Sequence, residues 1–307
     1  MPDPFERLQL RHYRLIRAIA EHGQVSIAAD AMAMTQPAAS RALAEIERLV
    51  DLPLFERHPK GVRPTPMGEA MARYATMLLG DLDQASQEFR AFRAGRAGTV
   101  RVGAVTGAAV GYLVPAIQAL KAETQDLDIR VSVAPSVDLV SDLIGGRLDF
   151  VLGRLPADAD KEKLDILKGH VEHVELLVGA DHPLAGRSDV TLAELARHVW
   201  IMQAPGMPIR DAIEDTYFRA DIAPPQNVIE TASLLMTIAY LQCSDSIAPV
   251  AREVSDLLVK ERSGGLVNLH MQEAIRLSPY HLVRQKDRML SPAATRLLHL
   301  VQDRLSD

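Results

Sequence analysis

Residues 26–41, which read SIAADAMAMTQPAASR, constrain the fold of this chain more than any other segment. The pattern predicts two helices joined by a three-residue turn. Ser26 is expected to cap the first helix, and small residues such as Ala28 face its buried side. Thr35 is expected to cap the second helix, whose first turn holds Pro37, where a missing amide hydrogen costs nothing. Because alanines let two helices cross closely, the segment predicts a helix-turn-helix.

The second helix has one apolar and one polar face. Its apolar positions recur every three or four residues, as a helix requires, and are Ala39, Leu43, Ile46 and Val50. The opposite face carries Gln36, Ser40 and Arg41. Glutamine can pair with adenine, arginine with guanine or a phosphate, and serine with either base, so this face suits a recognition helix in the major groove of DNA. The alternative is a solvated surface helix in an ordinary bundle.

The flanking segments complete a small domain. An apolar stripe over residues 10–20, ended by Gly23 as a left-handed cap, predicts a helix that packs behind the pair. Residues 54–57 and 58–63 predict two short extended arms around a Pro-Lys-Gly turn. Arg57, Lys60 and Arg63 in this hairpin are expected to hold phosphates without reading sequence. An exposed basic loop is the alternative.

Residues 10–68 resemble the winged helix-turn-helix domain of LysR-type transcriptional regulators. The motifs that carry the resemblance are Ala-Ala, Thr-Gln-Pro-Ala, Ser-Arg, Leu-Phe-Glu-Arg and Thr-Pro-Met-Gly, at these spacings. It implies a DNA-binding domain over residues 1–65, with Gln36, Pro37, Ser40 and Arg41 on double-stranded DNA. Asp51 departs from the family, which usually has glycine after the recognition helix.

Residues 66–94 predict one long helix, with Pro66 at its first position and no internal proline. Its apolar stripe is Met67, Met71, Tyr74, Leu78, Leu82, Ala85, Phe89 and Phe92. Such a rod cannot bury its stripe alone, so pairing with a second copy is expected, and docking on its own domain is the alternative. The family resemblance implies a linker and dimerisation helix. Residues 95–98 predict a hinge.

Charge supports the need for two DNA-binding heads. The whole chain carries a net charge of −6, whereas residues 1–65 hold nine Lys/Arg against eight Asp/Glu. Phosphate binding strengthens with the number of cations delivered, so such a weakly basic head predicts a dimer or tetramer.

Composition predicts a cytoplasmic protein without a membrane segment. The single cysteine, Cys243, excludes an internal disulfide framework, and no apolar run approaches the length of a membrane span. The N-terminal sequence has no signal-peptide pattern.

From residue 99 onward the chain alternates predicted strands with predicted helices. The strands are residues 100–105, 129–134, 148–152, 174–178, 199–202, 246–249, 266–269 and 281–283; the helices are 110–120, 139–144, 209–220, 234–241 and 291–305. This alternation predicts α/β layers with mostly parallel sheets. The predicted fold class is therefore an all-α winged helix-turn-helix domain and a long linker helix, joined to an α/β domain.

Residues 99–307 resemble the effector-binding domain of the same family, which is similar in fold to type 2 periplasmic binding proteins. The resemblance implies two lobes, about 99–168 with 270–307, and 169–269. Residues 105–117 and 145–156 are most similar to a subgroup that includes the galactose-binding-protein regulator and protocatechuate-responsive regulators.

Hydroxyls and glycines follow several predicted strands or open helices, where α/β sheets bind ligands. From the residues alone, each is equally a helix cap. The resemblance implies a small polar effector, which we expect to be a sugar, a sugar acid or an aromatic acid. The residues that it is expected to contact are Thr106, Gly107, Ser136, Arg154, Pro205, Thr231 and Ser233.

No catalytic motif is present. His170 and His173 would share a face if they lay on one helix, but no third zinc ligand has recognisable spacing, and Cys243 has no evident base. The sequence therefore predicts no enzyme, no cofactor and no metal. It predicts an effector-responsive regulator that binds DNA, self-associates and contacts RNA polymerase. A small-molecule binding protein that uses its N-terminal helices only to dimerise is the alternative.

Overall fold

The chain forms two compact units in a computed structural model that describes residues 7–59, 61–93, 98–124, 126–157, 159–260, 265–271 and 274–306. The first unit comprises residues 1–99 with 141–149, and the second comprises 100–140 with 150–307. The predicted hinge lies outside the described residues except for Gly98.

The first unit begins with three helices and a hairpin, followed by a long helix. The elements are α1 (Leu10–His22), α2 (Val25–Ala31), α3 (Gln36–Val50), β1 (Phe55–His58), β2 (Gly61–Pro64) and α4 (Pro66–Arg93). Their buried side chains form one core, which includes Ile16, Ala28, Ala39, Ile46 and Met71. The predicted helix-turn-helix and its wing are therefore present.

The helix boundaries differ from the prediction at one point. α2 begins at Val25 with Gln24 as its N-cap, so Ser26 lies inside the helix rather than capping it. Thr35 does occupy the N-cap of α3, and Gly23 ends α1 in the left-handed conformation. Asp51 ends α3 with φ 56° and ψ 31°, also left-handed, so an aspartate adopts the conformation that favours glycine.

α4 has two apolar faces rather than one. Met71, Ala75 and Leu79 are buried, and Met71 belongs to the core of the first unit. Tyr74, Leu78, Leu82 and Phe89 are exposed. The predicted stripe is wrong in including Met71 in a surface left for a second copy, since the core of the first unit covers this residue.

The second unit contains two sheets, and the first has the order β4-β3-β5-β13-β6. Its strands are β3 (Thr99–Ala104), β4 (Asp128–Val133), β5 (Phe150–Gly153), β6 (Leu164–His170) and β13 (Tyr280–Gln285). β3 and β5 are parallel, whereas β13 runs antiparallel to both β5 and β6.

The second sheet has the order β11-β7-β10-β8-β9, with β12 paired to β7. Its strands are β7 (His173–Gly179), β8 (Val199–Met202), β9 (Val228–Glu230), β10 (Ser246–Ala251), β11 (Leu266–Leu269) and β12 (Ile275–Arg276). β8 is parallel to β9 and β10, but β7 is antiparallel to β10, β11 and β12. The expectation of mostly parallel sheets is therefore wrong: both sheets are mixed.

Helices cover the sheets of this two-lobed α/β unit. They are α5 (Thr106–Ala108) and α6 (Val114–Glu123), joined by a π-helical turn, then α7 (Ser136–Ile144), α8 (Leu192–Leu195), α9 (Pro208–Arg219), α10 (Leu234–Leu241), α11 (Arg252–Lys260) and α12 (Pro292–Arg304). The chain passes between the sheets twice, at residues 171–172 and 277–279, and the backbone N–H of Leu277 donates to the carbonyl of Glu172 at 2.9 Å. The predicted lobe boundaries lie ahead of each crossing.

The lobe built on the second sheet packs around the only tryptophan of the chain. Trp200 in β8 is buried, stacks edge-on against Tyr217 at 6.1 Å between ring centroids, and donates from Nε1 to the carbonyl of Leu195 at 2.9 Å. Aromatic pairs of this geometry with a satisfied indole N–H make a well-ordered core.

Within the described part of the chain, none of the helices combines the length and the hydropathy that crossing a membrane requires.

Candidate functional site

The outward face of α3 carries the residues predicted to read DNA. Gln36, Pro37, Ser40 and Arg41 are all exposed, while Ala39 and Ile46 are buried on the opposite side. These four residues occupy the first two turns of the helix, which are the turns that enter the major groove in helix-turn-helix proteins. The fold thus leaves these side chains accessible to a duplex.

The wing follows α3 as an antiparallel hairpin, with Arg57 paired to Val62 and Glu56 to Arg63 across the strands. Arg57 and Arg63 are exposed. Lys60, the third predicted phosphate contact, lies outside the described residues.

Two contacts fix the wing beside α3. Glu47 of α3 accepts from the backbone N–H groups of Leu54 and Phe55 at 2.8 and 3.1 Å. Val62 donates to the carbonyl of Gly23 at 2.8 Å. Gly61 has φ 139°, and a Cβ there would lie 2.2 Å from the same carbonyl, so only glycine permits this approach. The hairpin is therefore held to both α1 and α3.

A cavity of about 460 Å³ opens in the second unit. Residues at the ends of β3, β4 and β5 line it from one lobe, and residues of β8, β10 and the starts of α9 and α10 line it from the other. Clefts of this size at the carboxyl ends of strands are typical sites for small ligands.

The cavity brings together five of the seven predicted effector residues: Thr106, Gly107, Ser136, Arg154 and Thr231. Pro205 and Ser233 are not among the lining residues. Pro205 lies exposed in a turn, where its neighbour Gly206 lines the cavity instead. The Ser233 hydroxyl accepts from the N–H of Met236 and caps α10, which is the alternative that the sequence left open.

Arg154 connects the cavity wall to both crossing segments. Its backbone N–H donates to Ser136 Oγ at 2.9 Å, and its Nε donates to the carbonyl of Ser278 at 2.9 Å. Its Nη2 forms a hydrogen-bonded ion pair with Glu172. Glu172 and Ser278 lie in the two crossing segments that join the lobes. The side chain of Arg154 therefore links the ligand cavity to both crossing segments.

Sequence reasoning missed Glu172, Gln203 and Thr237, which also line the cavity. Gln203 follows β8 directly, so a criterion that admitted amides as well as hydroxyls and glycines at strand ends would have found it. Thr237 lies inside α10, and no local pattern marks Glu172 as buried. Burial raises the pKa of Glu172, and Glu253 adds to the effect, whereas Arg154 opposes it.

The two histidines that could have shared a helical face lie on different strands. His170 ends β6 and His173 begins β7, so the two do not share a helical face. Among the described residues, no three His, Cys, Asp or Glu side chains are grouped as metal ligands.

The chain combines a winged helix-turn-helix, whose α3 has an exposed polar face, with a two-lobed α/β unit that has a ligand-sized cavity. This combination defines the class of DNA-binding regulators that respond to a small ligand. Comparison with known families agrees with this class. Residues 10–69 match the family described as bacterial regulatory helix-turn-helix protein, lysR family, and residues 93–306 match the LysR substrate binding domain. The chain belongs to the LysR family of transcriptional regulators.

Known relatives are similar over most of their length. The chain is 39% identical to the transcriptional regulator GbpR of Rhizobium radiobacter over 256 residues, covering 83% of this chain and 85% of GbpR. It is 35% identical to GbpR of Azospirillum brasilense, covering 94% and 84%. The fold also matches full-length CbnR complexed with its target DNA, with a TM-score of 0.60 at 18% identity, covering 97% and 100%. The family resemblance and fold class inferred from the sequence are confirmed.

Proposed function

We propose that α3 and the wing hold a DNA half-site while a small polar effector in the cavity of the second unit modulates promoter binding or DNA bending. The exposure of Gln36, Ser40 and Arg41 on one face of α3 carries this proposal. The sequence-based expectation for the effector is a sugar, a sugar acid or an aromatic acid. The match of residues 10–69 to a DNA-binding family argues against the alternative in which the N-terminal helices only dimerise.

The proposed mechanism depends on Arg154, which links the cavity to the two crossing segments. A ligand that prefers one cleft geometry shifts the population toward it. Arg154 lines the cavity and holds both crossing segments, through Glu172 and Ser278, so a change in the cavity acts where the lobes are joined. In an assembly of several copies, closure of the two lobes around a bound effector changes the spacing of the paired DNA-binding domains.

The exposed face of α4 supports self-association. Tyr74, Leu78, Leu82 and Phe89 present an apolar surface that a second copy of the same helix covers with twofold symmetry. We propose a dimer, assembled further into a tetramer, that acts in the cytoplasm on double-stranded DNA and contacts RNA polymerase. We also propose the domain boundaries that the sequence predicts, and a protein that regulates transcription without catalysing a reaction.

DNA binding is tested by gel shift on a partly palindromic operator and on unrelated duplex. Gln36→Ala and Arg41→Ala should each weaken operator binding by about 1–3 kcal/mol while leaving nonspecific binding nearly unchanged, because they remove contacts to base edges. Arg57→Ala should weaken binding on both duplexes and reduce the salt dependence, because it removes a phosphate contact. Arg197→Ala, an exposed arginine of the second unit, serves as the control. Operator binding by the Gln36 and Arg41 variants at the wild-type level would refute the assigned reading face.

A further inference from the structure

The cavity wall has very few ionisable groups. Among the described residues that line it, only Arg154 and Glu172 can carry a charge. The remaining lining residues are apolar, apart from the hydroxyls of Thr106, Ser136, Thr231 and Thr237 and the amide of Gln203. The electrostatic character of the cavity therefore depends on how these two charged side chains are disposed.

The two charges are paired with each other. Arg154 Nη2 and Glu172 Oε2 form an ion pair, in which the arginine side chain is 13% exposed and the glutamate side chain 4%. The carbonyl of Ser278 holds the guanidinium from the Nε side. As a result, the guanidinium in the wall is already neutralised by a carboxylate of the protein.

A second carboxylate, that of Glu253, lies next to this pair, and its side chain is 13% exposed. A Cβ on Gly107 would lie 2.5 Å from Glu172 Oε1 and 3.1 Å from Glu253 Oε2, so both carboxylates reach the same glycine. Glu253 Oε2 is buried without a hydrogen-bond partner among the described residues, and His170 Nε2 is 3.9 Å from Glu253 Oε1. Withdrawing Arg154 from Glu172 would leave a buried carboxylate beside a second, partly buried one, which is unfavourable.

Two of the helices that begin at the cavity, α7 and α9, offer little compensating positive potential, whereas α10 begins there without an acid in its first turn. α7 and α9 begin at the cavity wall, but each carries an aspartate in its first turn, Asp138 and Asp211 respectively. An acid in the first turn already interacts with the positive end of the helix dipole. Asp211 also accepts from the N–H of Gly206, which lines the cavity.

The hydroxyls of the cavity present both kinds of hydrogen-bonding partner. Ser136 Oγ accepts from the N–H of Arg154, and Thr231 Oγ1 accepts from the N–H of Ser233, so their O–H groups are left to donate. Thr237 Oγ1 donates to the carbonyl of Ser233, which leaves its oxygen to accept. A hydroxyl of a ligand can both accept a hydrogen bond from these O–H groups and donate one to the oxygen of Thr237, whereas a carboxylate can only accept.

We propose that this cavity selects an uncharged, hydroxyl-bearing small molecule over the carboxylate of the same size, because its guanidinium is engaged by Glu172. The inference rests on the proposed function, in which the effector occupies this cavity, and it narrows the effector from sugars and acids to neutral polyols of the sugar type. Glu172 is thus a specificity-determining residue that withholds Arg154 from anionic ligands.

The test measures dissociation constants by titration calorimetry on the full-length protein without DNA. The probes are galactose, arabinose and glucose, each compared with its own aldonate, and 3,4-dihydroxybenzyl alcohol compared with 3,4-dihydroxybenzoate. We expect at least one neutral probe to bind, with its acid partner at least tenfold weaker. A carboxylate that binds more tightly than its neutral partner overturns the proposal, as does a panel in which no neutral probe binds.

Glu172→Gln gives a second readout, since it keeps the shape of the side chain and frees the positive charge of Arg154. The ratio of acid to neutral affinity should rise at least tenfold in this variant. Glu175→Gln makes the same change on β7 outside the cavity, where Glu175 pairs with Arg252, and should leave the ratio unchanged. An unchanged ratio in a folded Glu172→Gln protein contradicts the assigned role.

Two further measurements separate this inference from the proposed function. Thr231→Val removes a cavity hydroxyl and should weaken the binding of the neutral probe at least threefold. Such a loss would place the ligand in this cavity, whereas an unchanged dissociation constant would overturn that placement. Gel shift with the bound probe then tests regulation: a neutral ligand that binds the cavity without altering the DNA complex refutes the proposed function and leaves the selectivity standing.

Discussion

At the scale of single residues, His182 shows how a buried polar group ties stability to pH. Its Nδ1 accepts from the backbone N–H of Leu184 at 3.1 Å, so the folded protein requires that nitrogen to be unprotonated. Burial lowers the pKa of His182 below its ordinary value of 6.5, the neighbouring His198 lowers it further, and Asp245 opposes the shift. The unfolded chain therefore binds this proton more tightly than the folded chain does.

The sign of the pH dependence follows from this difference. The stability contributed by His182 is fully present above pH 6.5, the ordinary value, and is lost as the pH falls through the lowered pKa. His182→Asn, which keeps an acceptor but cannot be protonated, should be less stable than wild type at pH 7 by about 1 kcal/mol, and the gap should narrow toward pH 5.5. Urea denaturation followed by circular dichroism measures this gap.

His299→Asn, an exposed histidine, is the control and should track wild type at every pH. A gap between His182→Asn and wild type that stays constant from pH 7 to 5.5 would show that the buried hydrogen bond does not govern the titration.

Sequence reasoning succeeded where the exposure of a residue is set by local periodicity. Gln36, Ser40 and Arg41 lie on the exposed face because a 3.6-residue repeat buries Ala39 and Ile46 on the other. It failed where the role depends on distant partners. The charge of Glu172 matters because Arg154 and Glu253 meet it in space, and no local pattern records that meeting.

At the scale of elements, the end of α3 departs from the family in a way that can be measured. Asp51 adopts a left-handed conformation that costs an ordinary residue about 1–2 kcal/mol, whereas glycine adopts it freely but loses more entropy on folding. Asp51→Gly should therefore stabilise the helix end by about 0.5–1 kcal/mol. Hydrogen exchange with mass spectrometry should show roughly two- to fivefold greater protection over residues 36–50.

The matched control is Asp51→Ala, which keeps a Cβ and therefore keeps the strain. Its protection should equal or fall below that of wild type. If the alanine variant gains as much protection as the glycine variant, left-handed strain is not the cause.

The helices and strands were predictable where the hydrophobic periodicity and the proline and glycine positions indicate the same boundaries. α3 and the wing follow from periodicity, Pro37 and the Pro-Lys-Gly turn. β6, β9 and β12 were missed because they are short or lie beside stronger signals, and their pairing partners are far away in the chain. The two faces of α4 were merged for a related reason: buried and exposed apolar residues look alike in a sequence.

At the scale of the whole molecule, the exposed face of α4 predicts how the protein assembles. Leu78 is 46% exposed at the middle of this face, beside Tyr74 at 61%. Leu78→Glu should disrupt pairing, because it places a charge in an interface built from apolar side chains. Sedimentation should show a smaller assembly than wild type, and operator affinity should fall at least tenfold as two heads cease to act together.

Asp83→Ala changes an exposed residue of α4 away from this face and should leave both measurements unchanged. Wild-type sedimentation of a folded Leu78→Glu protein would place the self-association surface elsewhere.

The mixed sheets belong to this larger scale as well. Alternating strands and helices were expected to give parallel pairing, but β13 returns to the first sheet antiparallel to β5, and β7 enters the second sheet antiparallel to β10. Both exceptions flank the crossing segments. A connection that carries the chain from one sheet to the other leaves no crossover helix to enforce parallel pairing.

The sole tryptophan of the chain gives this protein a built-in optical reporter. Trp200 is sealed in the core, and the next two residues of its strand, Ile201 and Met202, form part of the cavity wall. A molecule that seats against those side chains perturbs the strand that holds the indole, with no other indole to dilute the signal. Intrinsic fluorescence of the unlabelled protein is therefore a direct way to follow occupancy of the cleft as it happens.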